Sequence, residues 1–413
     1  MTASSLSLAD ESSPRYPGWR IVAVCFVMAT FSWGLGFYGQ SVYLPELQRL
    51  HGWQTSWIST ATTIYYLVGA ALVVFVGDAI GKIGARVCLI GGVICVAAAT
   101  ALLGHINALW QLYAVYALLA CGWAGSSLGA ITNTLGLWFD RKRGMAISLA
   151  LNGASCGGIV GVPLLTAAIA HWHFTGAMLA AAATVLLLLV PLIGLTVGTP
   201  PARPRAAAGA NGNPSGARIR AMAFRDVAFL TLAIAFALVL FAQVGIIVHL
   251  IAFLDPVVGR EHAAIAVALL TAMAMIGRLL FSIVIDRLNQ RLVSALSFVS
   301  QACALVILIN LSNTTAVYFA CALFGFSVGN LITLPALIVQ RDFPAESFGV
   351  LISLNTAVTQ VTYAFGPGVI GVLRDLTGGY TVPFMMCIAL ELTAAALIMV
   401  RGRAADPRRQ AVA

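Results

Sequence analysis

A permanently charged guanidinium, Arg278, sits in a run that begins near Ala263 and is otherwise apolar except for Thr271. An ionisable side chain at membrane depth costs at least ~2.5–3.5 kcal/mol on insertion scales, so it is expected to face a polar cavity or a partner. The chemistry it offers is anion binding, because a planar guanidinium can meet a carboxylate through two parallel N–H groups. Two titratable groups stand in other apolar runs. His249, within Gly245-Ile246-Ile247-Val248-His249-Leu250, can exchange a proton near neutral pH. Glu391, within Ile388-Ala389-Leu390-Glu391-Leu392-Thr393, can do so through its carboxyl. Both are candidates for proton coupling, and His249 is also a candidate second contact for a bound anion. The competing readings are a hydrogen-bonded structural histidine and a glutamate placed at a helix or oligomer contact.

Among uncharged groups, Tyr66, Asn152 and Asn355 lead as candidates to line a site, ahead of Tyr65, Asn330, Thr333, Gln360 and Tyr363. Small-molecule sites are mostly apolar with a few oriented donors, so a short set of this kind suffices. The glycine-rich runs lie within apolar segments and lack the Gly-x-x-x-x-Gly-Lys-Ser/Thr spacing of a phosphate loop. No zincin or nucleophile-elbow pattern occurs, so an ATP-driven pump or a membrane hydrolase would lack its parts. The reading names no catalytic residue, no metal and no cofactor. Eight cysteines lie in apolar runs without metal-type spacing, which points to packing.

The elements that position these residues follow from composition. Of 413 residues 60% are hydrophobic and only 9% are charged, against about 25% charged in soluble domains, and mean hydropathy is +0.95. At ~20 apolar residues per crossing, the chain divides into twelve spans at about 19–44, 55–79, 87–107, 110–137, 145–170, 176–198, 227–254, 263–285, 292–311, 315–339, 348–372 and 380–400. Alternating strands of a barrel are absent. The fold class expected is an all-α polytopic membrane protein of twelve transmembrane helices in two six-helix pseudo-repeats.

The net charge of +9 is unevenly placed. All lysines and arginines except Arg49, Arg260, Arg374 and the intramembrane Arg278 fall on one side of these spans. By the positive-inside rule that side is cytoplasmic and holds both termini, as expected in a bacterial inner membrane. The charge thus predicts contact with lipid rather than nucleic acid. The first eighteen residues are polar and include Asp10 and Glu11, unlike a cleaved leader, so the first span is expected to stay as an anchor. The domain expectation is a disordered tail at 1–18, a bundle at 19–198, a basic linker at 199–226, a second bundle at 227–401 and a tail at 402–413. The linker rests on its prolines, glycines and arginines.

The halves repeat weakly but in register. An offset of 205 takes Lys82 to Arg287 and Arg86 to Arg291, and takes Gly144-Met145-Ala146-Ile147-Ser148-Leu149 to Gly349-Val350-Leu351-Ile352-Ser353-Leu354. Two matches at one offset imply parallel six-helix repeats around a midplane site.

With these residues in view, the chain resembles the major facilitator superfamily over essentially its whole length. That superfamily's loop pattern Gly-x-x-x-Asp-Arg-x-Gly-x-Arg is met by Gly77, Lys82, Gly84 and Arg86, and again by Asp286, Arg287 and Arg291. Gly18-Trp19, Trp138-Phe139, Arg141-Lys142-Arg143-Gly144-Met145-Ala146 and Arg278 eight residues before Asp286 look more like its monocarboxylate and oxalate:formate branch. The resemblance implies that Arg278 binds a substrate carboxylate and that Asp78, Lys82, Arg86, Arg141, Asp286, Arg287 and Arg291 form the gating loops.

There are departures. The first loop has Gly81 where an acid is expected, leaving an i, i+4 pairing of Asp78 with Lys82 as a substitute. The first span has no lysine, Ala274 stands where animal relatives carry an aspartate, and Asn355 stands where the oxalate:formate relative carries a second cation. One fixed cation suits a monoanion better than a dianion. The function expected is therefore secondary active transport of a small organic anion, a monocarboxylate first, by alternating access with proton coupling or anion exchange. Its partners would be that anion, a proton or counter-anion and membrane lipid, and the protein would act as a monomer, not as an enzyme. The alternatives are a drug or metabolite exporter and, behind it, a non-transporting membrane sensor.

Overall fold

The computed structural model describes residues 11–400 except 12, 14, 199–215, 311–312, 332 and 345–346. The tail at 402–413, most of the linker and the first ten residues of the N-terminal tail lie outside the described residues. Every regular element within them is helical. The sequence forms helices because long apolar runs leave backbone groups no partner in lipid except their own turn.

The first span is α1 (Gly18–Phe31), a π-helical stretch at Ser32–Tyr38, and α2 (Gly39–His51). Next come α3 (Thr55–Ile83), α4 (Ala85–Leu103) and a fourth span split into α5 (Leu109–Ser126) and α6 (Leu128–Trp138). α7 (Arg143–Cys156) runs through a second π stretch, Gly157–Gly161, into α8 (Val162–Thr196). The short α9 (Gly216–Ala223) precedes α10 (Val227–Val258) and α11 (Arg260–Val284), which ends in a 3-10 turn at Ile285–Arg287. The remainder is α12 (Gln290–Ile309), a tenth span split into α13 (Thr314–Val328) and α14 (Leu334–Asp342), an eleventh made of α15 (Phe348–Ala364) and α16 (Gly366–Thr377), and α17 (Thr381–Met399).

Among the described residues eleven continuous segments are long and apolar enough to cross a membrane, against twelve expected. The difference lies in one 54-residue segment, Arg143–Thr196, that holds both the fifth and sixth expected spans. They meet at His173, whose backbone (φ 56, ψ 173) leaves the helical range, so the segment is two helices joined at a kink and the fifth and sixth spans are separate.

By contacts the chain divides into two units, one of residues 1–39 and 71–205 and one of 40–70 and 206–413. In the first, α1 packs on α7 and the two π stretches meet. Gly157 permits this, since a Cβ there would lie 2.5 Å from the Thr30 carbonyl oxygen. The N-terminal segment is held as well. The Glu11 carboxylate accepts from the backbone N–H groups of Asp140 (2.8 Å) and Lys142 (2.9 Å), and the buried Tyr16 donates its hydroxyl to the Trp138 carbonyl. Gly84, between α3 and α4, has φ 86, a conformation that explains the glycine in the loop pattern. In the second unit, Phe229, Phe236, Phe298, Leu334, Val339 and Ile398 form a core shared by α10, α12, α14 and α17.

Candidate functional site

Arg278 lies on α11, half-buried, and its Nε–H donates to the carbonyl oxygen of Gly329 at 3.3 Å. That carbonyl is available because the tenth span breaks. α13 ends at Val328 and α14 begins only at Leu334, with Pro335 in its first turn, so the regular i+4 ladder stops there and the Val328 carbonyl accepts from the Leu331 N–H in a turn instead. The end of a helix also carries partial negative charge, which suits a guanidinium. Small residues bring the two helices close enough. A Cβ on Gly325 would run into the Leu270 carbonyl, one on Gly329 into the Ala274 carbonyl, and one on Gly277 into the Phe326 carbonyl. Ala274, the position noted above for its missing acid, is 3% exposed within this seam.

Asn330 and Thr333 hold the break itself. Thr333 Oγ1 donates to the Asn330 carbonyl at 3.2 Å, and the buried Asn330 amide donates to the Phe326 carbonyl at 3.4 Å. The fourth span also breaks, at Ser127, in the half of the chain that the repeat offset relates to the tenth span. There Ser32 Oγ donates to Ser126 Oγ at 2.8 Å.

The other predicted site residues fall in different settings. Asn355, on α15, is 4% exposed, and its Oδ1 has no hydrogen-bond partner among the described residues. Such an orphan acceptor costs about 1–3 kcal/mol unless a ligand or water meets it. Tyr66 is buried edge-on against Tyr363, with ring centroids 5.5 Å apart. Asn152 is half-buried on α7 and belongs to the other unit.

His249 is fully buried and well bonded. Its Nε2 lies 3.0 Å from the Pro367 carbonyl and 3.2 Å from Ser59 Oγ, while Nδ1 lies 3.2 Å from Tyr380 Oη. A carbonyl only accepts, so Nε2 carries the hydrogen and Nδ1 accepts from the tyrosine. None of these partners is on α11. Glu391, on α17, is 0% exposed with both carboxyl oxygens unpartnered among the described residues.

The gating residues divide by exposure. Asp78, Lys82, Arg86, Arg141 and Arg287 are exposed, and no ion pair joins Asp78 to Lys82 among the described residues. The backbone of Asp286 lies in the 3-10 turn, and its side chain is outside the described residues. Arg291 is 2% exposed. Its Nε donates to Asp342 Oδ2 at 2.9 Å, NH1 to the Ile398 carbonyl at 3.0 Å and NH2 to the Ala228 carbonyl at 3.0 Å. It pins the ends of four helices together.

Sequence reasoning did not single out several functional-looking groups. Glu46, 0% exposed, pairs with Arg260 and, at 2.9 Å, with Arg49. Asp375 Oδ2 accepts from the Ser56 N–H at 2.7 Å, capping α3. Gln301, in the middle of α12, is 0% exposed with neither end of its amide partnered among the described residues. The available signal was a polar residue inside an apolar run for Gln301, and an acid next to a proline-marked helix end for Glu46. Among the described residues no three His, Cys, Asp or Glu side chains gather as a metal site would need.

The profile of the Major Facilitator Superfamily matches residues 22–367. The uncharacterised MFS-type transporter YcxA of Bacillus subtilis is 25% identical over 94% of this chain and 96% of its own length. The aspyridones efflux protein apdF of Emericella nidulans is 22% identical over 95% and 79%. Monocarboxylate transporter 12-B of Danio rerio is 24% identical over 89% and 83%. Among solved structures, a mutant form of the nucleoside transporter NupG superposes with a TM-score of 0.76 at 12% identity, over 93% of this chain and 99% of that one, a likeness of fold alone.

Proposed function

This chain belongs to the major facilitator superfamily, and from that premise we propose that it is a secondary active transporter of a small organic anion, a monocarboxylate first, and not an enzyme. The observation that carries the reading is Arg278, a half-buried guanidinium within a span, hydrogen-bonded to the backbone of a broken helix. A helix-end carbonyl supports a permanent positive charge without cancelling it, and a carboxylate is the anion whose two oxygens match a guanidinium fork. Asn355 Oδ1, an acceptor without a partner among the described residues, suits the hydroxyl of a hydroxy acid or a water bound beside the substrate. Tyr66 would contribute a ring wall, and Asn152 is a separate candidate polar contact on the other unit.

Transport proceeds by alternating access coupled to a proton or exchanged against a counter-anion. Glu391 is the preferred proton site, because its carboxyl is buried on α17 with both oxygens unpartnered among the described residues. His249, with both ring nitrogens engaged, serves chiefly to fix the helices around it. The loops bearing Asp78, Lys82, Arg86, Arg141, Asp286 and Arg287 rearrange between states, while Arg291 anchors the bundle that moves. The protein works as a monomer in a bacterial inner membrane, with both termini on the basic, cytoplasmic side and lipid around its spans.

A second reading, export of an amphipathic metabolite, draws on the efflux protein among the relatives. In that reading Arg278 would only staple α11 to α13. Uptake into proteoliposomes of labelled lactate, pyruvate, formate and oxalate, with and without a pH gradient, separates the two. Saturable uptake of a monocarboxylate supports the proposal; no uptake of any of the four, together with drug-stimulated efflux, favours export.

A further inference from the structure

At the basic end of the second unit a cavity of about 580 Å³ is lined by Arg287, Leu288, Asn289, Gln290, Leu337, Gln340 and Arg341. Its two guanidiniums have no ion-pair partner among the described residues. Asp342, next to Arg341 in sequence, is taken by Arg291, and Arg341 NH1 instead donates to the neutral Gln290 Oε1 at 2.9 Å. Asn289 is also committed, since its side chain caps α12 by accepting from the N–H groups of Arg291 (3.1 Å) and Leu292 (3.4 Å). What stays open is a pair of cations in a recess large enough for a phosphate group. From the same recess an apolar track leads away along α12. Leu288 in the cavity wall is 40% exposed, and Leu292 and Leu296 on the following turns are 45% and 60% exposed. α12 is long and apolar enough to cross a membrane, so leucines left bare on it face acyl chains.

We propose that this recess is a binding site for an anionic phospholipid, its phosphodiester between Arg287 and Arg341 and one acyl chain along Leu288, Leu292 and Leu296. A free phosphate would use the arginines but gain nothing from the leucines, so the track favours the lipid. The site is separate from Arg278 and independent of which solute is moved. An occupant would bridge the turn after α11 to the end of α14, and so tie the eighth span to the second half of the broken tenth.

The test is native mass spectrometry of the purified full-length protein in detergent, titrated with phosphatidylglycerol, phosphatidylcholine or inorganic phosphate. The wild type should retain one phosphatidylglycerol in preference to phosphatidylcholine. At about fivefold per basic residue near a membrane surface, Arg287→Gln with Arg341→Gln should weaken retention about 30-fold. Arg20→Gln, an exposed arginine elsewhere, should leave it unchanged. Gln340→Glu keeps the Arg341–Gln290 bond and adds a negative charge at the mouth, so it should weaken retention even if the double variant folds poorly. Leu292→Ser should lower lipid retention without affecting phosphate. Equal retention of both lipids, retention undiminished in Gln340→Glu, or competition by inorganic phosphate at equal concentration would overturn the proposal.

Discussion

Arg278 and Gly329 are joined by a hydrogen bond from the guanidinium Nε to a backbone carbonyl 3.3 Å away, one residue past the last turn of α13. The contact exists only because the tenth span stops there and because glycine lets α11 lie against it. Charge, break and close packing form one device, and each part can be tested.

Gly329→Val would force a branched side chain into the Ala274 carbonyl. Overpacking of this kind costs about 1–3 kcal/mol. The variant is expected to unfold at lower temperature in detergent and to lose affinity for the transported anion, because Arg278 shifts with its helix. Gly349, with open space around it, is the control, and Gly349→Ala should change neither. Equal behaviour of the two variants would mean that the seam does not position the arginine.

Arg291 and Arg86 occupy equivalent places in the repeat but are not equivalent physically. Arg291→Ala strands Asp342 and the Ile398 carbonyl at the end of α17, and breaking a buried pair costs about 3–5 kcal/mol. Its folded yield and thermal midpoint should fall sharply, whereas Arg86→Ala, at an exposed site, should leave both close to wild type. Similar thermal melts for the two variants would contradict the assignment of Arg291 as an anchor.

Glu391→Gln keeps shape and removes the exchangeable proton. Proteoliposomes carrying it should lose stimulation by a pH gradient while retaining exchange of one anion for another. His249→Gln should slow both modes together, because it loosens the contacts with Ser59, Pro367 and Tyr380 without removing the proton site. Retained stimulation in Glu391→Gln with loss in His249→Gln would reverse the assignment.

The helices and the intramembrane Arg278 were legible in the sequence because both rest on local properties. A charge in an apolar run stands out whatever surrounds it, and Gly84 marks a turn that needs positive φ. The breaks at Ser127 and after Val328 were not legible. Ser126-Ser127 and Gly329-Asn330 lie in runs whose composition fits an unbroken helix, and the interruption is held by bonds such as Ser32 to Ser126 that join distant positions. The same limit explains Glu46. As an acid at a helix end it suggests exposure, and only the fold brings Arg260 to it. The fifth and sixth spans were separable by hydropathy, and the chain turns between them at His173, a non-glycine residue with positive φ that no composition rule anticipates.

The central claim is that Arg278 binds a carboxylate, and equilibrium binding to the purified protein tests it most directly. Radiolabelled pyruvate or lactate should bind the wild type saturably, compete with other monocarboxylates and ignore the corresponding amides. Losing the charge-assisted pair removes about 1.5–3 kcal/mol, so Arg278→Gln should weaken binding by about 10- to 100-fold, with Arg278→Lys recovering only part of it. Unchanged affinity in a folded Arg278→Gln protein would contradict the account.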